Sequence, residues 1–176
     1  MIRQITILVA AIMFCFYFGN CSLKGRETVG VTTYKHNKVF LKGGGHYLVG
    51  QLPDGWQRIK VSDQLITFYN KEYDASITTD AFCDESFVDR PLEVLAGELA
   101  SALNDRTTTS TETLMLNSRQ AYRQKVAGKM DGVPVKMDIV VVKKNTCNFD
   151  FVAVMPPHNS TQVTQDFETF FNGFQY

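Results

Sequence analysis

The stretch from residue 119 to residue 155 narrows the choice of fold more than any other part of the chain. Residues 119–129 read as one strand, and Met130-Asp131-Gly132 as its turn, because Asp-Gly is a strong hairpin signal. From Val133 to Lys143 the residues Val133, Val135, Met137, Ile139 and Val141 fall on alternate positions, the period of a strand with an apolar face. Pro134 stands at its beginning, where a missing N–H is tolerable. Lys144-Asn145-Thr146 turns the chain into a third strand, Cys147 to Met155, which Pro156-Pro157 stops. This is an antiparallel meander.

Upstream, HYLVGQL has strand character, and Leu52-Pro53-Asp54-Gly55-Trp56 makes a turn in which Pro53 presets φ and Gly55 permits a positive one. LITFYN (65–70) and ASITTDAFC (75–83) read as two more strands. The period then changes. Leu92, Leu95, Leu99 and Leu103 recur at helical spacing, with Val94, Ala96 and Ala102 widening the stripe. Pro91 suits the first turn, with Asp89 or Arg90 as cap. A polar threonine run, 107–111, leads into LMLN and the meander. After the prolines, Ser160 is placed to cap a final helix carrying Val163, Phe167, Phe170, Phe171 and Phe174 on one face. Several antiparallel strands, about six, with two amphipathic helices describe an α+β layered domain.

The first residues, MIRQITILVAAIMFCFYFGNC, bear on location. Arg3 supplies a positive start, Ile5 to Phe18 form an uncharged and largely apolar run, and a cysteine follows. That is the layout of a secretory signal, and the run is short for a spanning helix, which needs about 20 apolar residues. Phe18-Gly19-Asn20-Cys21 resembles the lipobox of bacterial lipoproteins, although Asn20 departs from the small residue usual before the cysteine. The resemblance implies a signal peptide over residues 1–20, lipidation (palmitate) at Cys21, and, from Ser22, sorting to the outer membrane with the domain facing the periplasm. Ordinary cleavage nearby and an uncleaved anchor helix are the alternatives. Residues 21–45, polar and ending in Gly43-Gly44-Gly45, read as a lipidated cysteine and flexible tether, with VFL at 39–41 as a possible short strand, and the domain proper as 46–176.

Removing residues 1–20 takes away one charged side chain, Arg3, and leaves 17 basic and 18 acidic residues, a formal charge of −1. Nothing in that balance draws the chain to nucleic acid. Of the four cysteines, Cys15 lies in the signal and Cys21 at the lipid site. Cys83 and Cys147 remain, each on the apolar parity of its strand, and in an oxidising compartment they are expected to form a disulfide.

Candidate sites are few. His36, His46 and His158 are the only histidines, and none has a neighbour at metal-ligand spacing, so no metal or cofactor is expected. A nucleophile motif such as G-x-S-x-G is absent. Asp80, Asp84, Glu85 and Asp89 cluster without the spacing of a calcium loop and read as a solvated loop. Arg119, Arg123, Lys125 and Lys129 share one parity and form a basic ladder. Lys136, Lys143 and Lys144 lie on the next strand, so together they are a surface for an anionic partner or an ordinary solvent face. Tyr47 and Trp56 read as packing residues, with a ligand pocket as the alternative.

The order of elements resembles the PsbP-like family. The likeness is carried by Leu52-Pro53-Asp54-Gly55-Trp56, the Pro91-Leu92 helix start, the Met130-Asp131-Gly132 hairpin followed by MDIVVVKK, and the closing FETFFNGF helix. It implies a sheet with helices on both faces, an α/β/α sandwich, and a binding or assembly role without catalysis. The expected function is therefore that of a lipid-anchored, non-enzymatic accessory or assembly factor for a membrane complex, with an envelope protein as partner. A small-ligand or lipid-binding carrier domain is the alternative.

Overall fold

The computed structural model describes residues 30–84 and 90–176. Its order is β1 (Val31–Lys35), β2 (Lys38–Leu41), β3 (His46–Leu48), β4 (Trp56–Ile59), β5 (Ile66–Asn70), β6 (Ala75–Cys83), α1 (Leu92–Ala100), β7 (Asn104–Leu116), β8 (Arg119–Met130), β9 (Val133–Lys144), β10 (Cys147–Met155), a 3-10 turn (Pro157–Asn159) and α2 (Ser160–Asn172). Seven strands make one antiparallel sheet in the order β4-β5-β6-β10-β9-β8-β7, and β1-β2-β3 make a second. The expected α+β architecture is present, with seven central strands rather than about six.

The pleat sorts the two cores. On β10, Phe149, Phe151, Ala153 and Met155 face α2 and the small sheet, while Val152 and Val154 face α1. β9 is buried on both faces from Met137 to Val142, which is why its valines run on past the alternation. The larger core joins Tyr47, Phe149, Phe151, Phe167, Phe170 and Phe174, all fully buried, through ring contacts such as Phe149 to Phe174 at 4.9 Å. Burying each ring contributes on the order of 2–3 kcal/mol. Trp56 and Tyr47 are packing residues, as expected. Trp56 Nε1 donates to Asp166 of α2 at 2.9 Å, and the Tyr47 hydroxyl bonds Thr79 at 2.8 Å.

Hairpin geometry follows from local residue choice. Asp131 and Gly132 both have positive φ, 50° and 83°, in a two-residue turn that pairs Met130 with Val133. His36-Asn37 and Asn117-Ser118 turn in the same way with no glycine.

Four expectations change. Residues 30–45 are not tether: Val31, Val39 and Leu41 lie in the larger core, so the folded unit begins before His46 and includes the β1–β2 hairpin. The threonine run does not merely lead into the meander: it is the middle of β7, a 13-residue edge strand. Threonine is a good strand former, and neither face of β7 is covered from Asn104 to Thr113, so burial shows no alternation there. Pro91 is the cap residue of α1 rather than part of its first turn, with no side-chain cap among the described residues. Val94 is exposed, whereas Leu95, Ala96, Ala100 and Leu103 face the sheet. Asp89, the Ser160 side chain, the signal segment and Cys21 lie outside the described residues.

One contact fixes the small sheet to α2. The Gly50 N–H donates to Phe170 O at 2.7 Å. A Cβ on Gly50 would stand 1.9 Å from Thr169 O, and one on Gly173 would stand 2.2 Å from Gly50 N. Two backbones touch here because neither glycine carries a side chain.

Candidate functional site

The basic ladder on β8 does not stand free. Arg123 is 6% exposed and points toward α2. Its Nε and Nη2 donate to the two oxygens of Asp138 at 2.8 and 2.7 Å, and its Nη1 donates to Glu112 at 3.0 Å and Glu168 at 2.9 Å. The guanidinium also lies 5.3 Å from the centre of the Phe171 ring. Burial works against the charge, but Asp138 and Glu168 outweigh it and raise the group above its ordinary pKa. Arg123 is thus a structural clasp joining β7, β8, β9 and α2. Lys125 lies 3.9 Å from Asp138, Lys129 forms an ion pair with Asp105 at 2.9 Å, and Arg119 is exposed. Parity was right about the shared face but could not show the acids opposite. A free anion-binding surface made of all four cations is not what the fold presents.

The other face of the sheet holds polar groups that the sequence pattern concealed. Asp80 on β6 and Asp150 on β10 are directly opposed in register, 6% and 7% exposed. Asn148, 4% exposed, donates Nδ2 to Asp150 Oδ1 at 2.7 Å, and its own Oδ1 is buried without a hydrogen-bond partner. Asp80 Oδ1 accepts the Ala81 N–H at 2.7 Å. Asp80 therefore leaves the solvated loop in which its sequence neighbours suggested it lies. Asp84 sits just past the strand end, and Glu85 and Asp89 lie outside the described residues. Beside the pair opens a groove of about 290 Å³ lined by Phe82, Leu95, Glu98, Leu99, Asn148 and Asp150. It exists because α1 packs on β8 and β9 and leaves β6 and β10 partly uncovered.

Burial raises Asp80 from 3.8 to about 7, reinforced by the neighbouring Asp150 charge and opposed by the Ala81 hydrogen bond. Burial likewise raises Asp150 to about 7 against its bond from Asn148. The signal available in the sequence was Asp150 itself, an acid at the centre of a strand whose other residues are largely apolar. Because that parity faces α1, it could have been read as an inward charge rather than a solvent one.

The sign of the pH effect follows from these values. A carboxyl with a raised folded-state pKa holds its proton longer in the native state, so its stabilising contribution is full below about 3.8. That contribution is lost as pH rises through about 7. Replacing the charge by an isosteric amide should relieve the penalty above pH 7. Asp150→Asn is therefore expected to stabilise the domain by on the order of 1–2 kcal/mol at pH 8, with a smaller gain at pH 5 that vanishes only below about 3.8. Thermal unfolding at both pH values checks this, and equal or lower stability of the variant at pH 8 would refute it.

Among the described residues, no three of His, Cys, Asp and Glu come together to hold a metal, and no helix is long and apolar enough to cross a membrane. His36 sits in the β1–β2 turn, His46 begins β3, and His158 lies in the 3-10 turn. Cys83 and Cys147 form the expected disulfide at the end of the β6–β10 ribbon, with Cα atoms 3.9 Å apart.

No family model matches the sequence, and no curated protein matches it. Solved structures do match the fold. The solution structure of cyanobacterial PsbP (CyanoP) from Synechocystis sp. superposes with a TM-score of 0.51 at 14% identity, over 90% of this chain and 98% of that one. The crystal structure of LpqN, involved in cell envelope biogenesis of Mycobacterium tuberculosis, gives 0.53 at 11% identity over 87% and 93%. A crystal structure from Bacteroides thetaiotaomicron gives 0.52 at 14% identity, over 73% of this chain but only 44% of that one. At such identities the likeness is one of fold. The fold is PsbP-like.

Proposed function

We propose that this PsbP-like domain is a non-enzymatic protein of the bacterial envelope, anchored by lipid at Cys21, that serves as an accessory or assembly factor for a membrane complex. The observation that carries the assembly role is β7. It is the outermost of seven strands, its residues from Asn104 to Thr113 are all exposed, and it offers one row of backbone donors and acceptors to a further strand. Register shifts between Asn104 and Thr107 and between Thr108 and Ser110 interrupt the ladder. Such bulges guard an edge against indiscriminate pairing while leaving it open to a matched partner. The disulfide agrees with an exported domain. LpqN, a domain of the same fold involved in cell envelope biogenesis, offers a precedent for the architecture in that setting.

Two measurements test the reading. Cells supplied with labelled palmitate are expected to label the wild-type protein and not Cys21→Ser; label retained in that variant would exclude the anchor. A photo-crosslinking residue at position 111 of β7 is expected to capture a membrane-complex subunit that the same residue at position 58, on the opposite edge strand β4, does not capture. Capture of nothing from β7, or of the same products from both edges, would overturn the assembly role.

A further inference from the structure

We propose that the groove between α1 and the β6–β10 ribbon binds a small organic ammonium ion with an apolar body. The proposal does not rest on the anchor or on the assembly role. Three features meet in that groove. The walls, Phe82, Leu95 and Leu99, are apolar and suit a hydrocarbon. The floor holds Asp150 and Asn148, with Asp80 directly opposed to Asp150 on the next strand. Asn148 is 4% exposed, and its Oδ1 is buried with no donor to satisfy it, an unfavourable state that a donor would relieve.

An ammonium head supplies what this floor lacks. It has several N–H donors and no acceptor, so one can serve the Asn148 carbonyl while others reach the Asp150 carboxylate. Its charge offsets the cost of ionising two buried aspartates side by side. A neutral alcohol brings one donor and no charge, and an anion repels. The protein's own cations nearby are already engaged: the Arg90 guanidinium bonds Glu98 at the groove's lip, and Lys143, opposite Asn148 on β9, donates to the Arg90 carbonyl oxygen. Counting Asp80, Asp150 and Glu98 against Arg90 and Lys143 leaves the site negative when the aspartates are ionised. Asp84 lies just beyond, at the same parity as Asp80.

The test uses the full-length chain in phosphatidylcholine nanodiscs, titrated calorimetrically at pH 8 with hexylamine, hexan-1-ol, hexanoate and calcium chloride, with empty nanodiscs as the blank. Hexylamine is expected to bind at least tenfold more tightly than hexan-1-ol or hexanoate. Asp150→Asn, which should be the more stable protein at this pH, is expected to weaken hexylamine at least tenfold. Leu99→Trp, which fills the groove without touching a carboxylate, should do the same. Binding should also weaken at pH 5, where Asp80 and Asp150 carry protons. Equal binding of hexylamine and hexan-1-ol, undiminished binding to either variant, or heat from calcium alone would overturn the proposal.

Discussion

Arg123→Met is expected to destabilise the domain by about 3–5 kcal/mol, the range for removing one partner of a buried ion pair. The loss comes less from the missing bonds than from what remains. Asp138, its side chain 3% exposed, would keep its charge in the sheet interior with, among the described residues, Lys125 as its one remaining ion-pair partner at 3.9 Å, too far for a good hydrogen bond. Glu112 and Glu168 would suffer less, since both are about half exposed and water can replace the guanidinium. This asymmetry gives a second arm. In Arg123→Met/Asp138→Leu both buried charges are gone, and the double variant should recover at least half of the single variant's loss. Urea unfolding of the three proteins decides it. A single variant within about 1 kcal/mol of wild type, or a double variant no better than the single, would show that the clasp does not act through the orphaned acid.

The clasp also shows where reading the chain as a line of residues succeeds and stops. Period-two patterning located β8, β9 and β10 because each buries a face, and the pleat turns burial into alternation. Parity put Cys83 and Cys147 each on the apolar face of its strand, the oxidising compartment suggested their pairing, and the register sets them directly opposite. Parity says which residues share a face, not what lies across from them. Arg123 therefore looked like one rung of a basic surface, when its three carboxylates come from β7, β9 and α2, at sequence distances of 11, 15 and 45. The acidic pair was hidden for the same reason. Asp80 belongs by sequence to a run of acids and by structure to a neighbour 70 residues away.

Of the β1–β2 hairpin only VFL at 39–41, which lies in β2, was legible, and β1 escaped for another reason. The hairpin's turn is His36-Asn37 rather than an Asn-Gly or Asp-Gly pair, and three buried side chains in 11 residues are too few to mark a core segment amid polar neighbours. Glycines at 43–45 added a linker-like composition to what is the tight connection from β2 to β3. Gly44 and Gly45 there hold positive φ, the conformation glycine adopts at little cost.

Removing the disulfide should cost about as much as breaking the clasp, by a different route. Cys83→Ala/Cys147→Ala opens a link between residues 64 apart in sequence, and the chain-entropy model assigns such a loop about 4 kcal/mol. The native state has little to lose directly. The cysteines sit at the last rung of a ribbon in which eight consecutive residue pairs already hold β6 to β10. The bridge instead restricts the unfolded chain, which must otherwise bring β6 and β10 together across α1 and three intervening strands. The variant's melting temperature is therefore expected to fall by roughly 8–16 °C, taking 2–4 °C per kcal/mol for a domain of this size, while its native spectrum stays unchanged. Wild-type protein held in reductant should reproduce the shift. A loss under about 1 kcal/mol would mean that the unfolded chain keeps the β6–β10 contact without the bridge. A changed native spectrum would locate the effect in the folded state, where Cys147 Sγ also meets the Tyr176 hydroxyl at 3.6 Å and helps seat the C-terminal residues on the sheet.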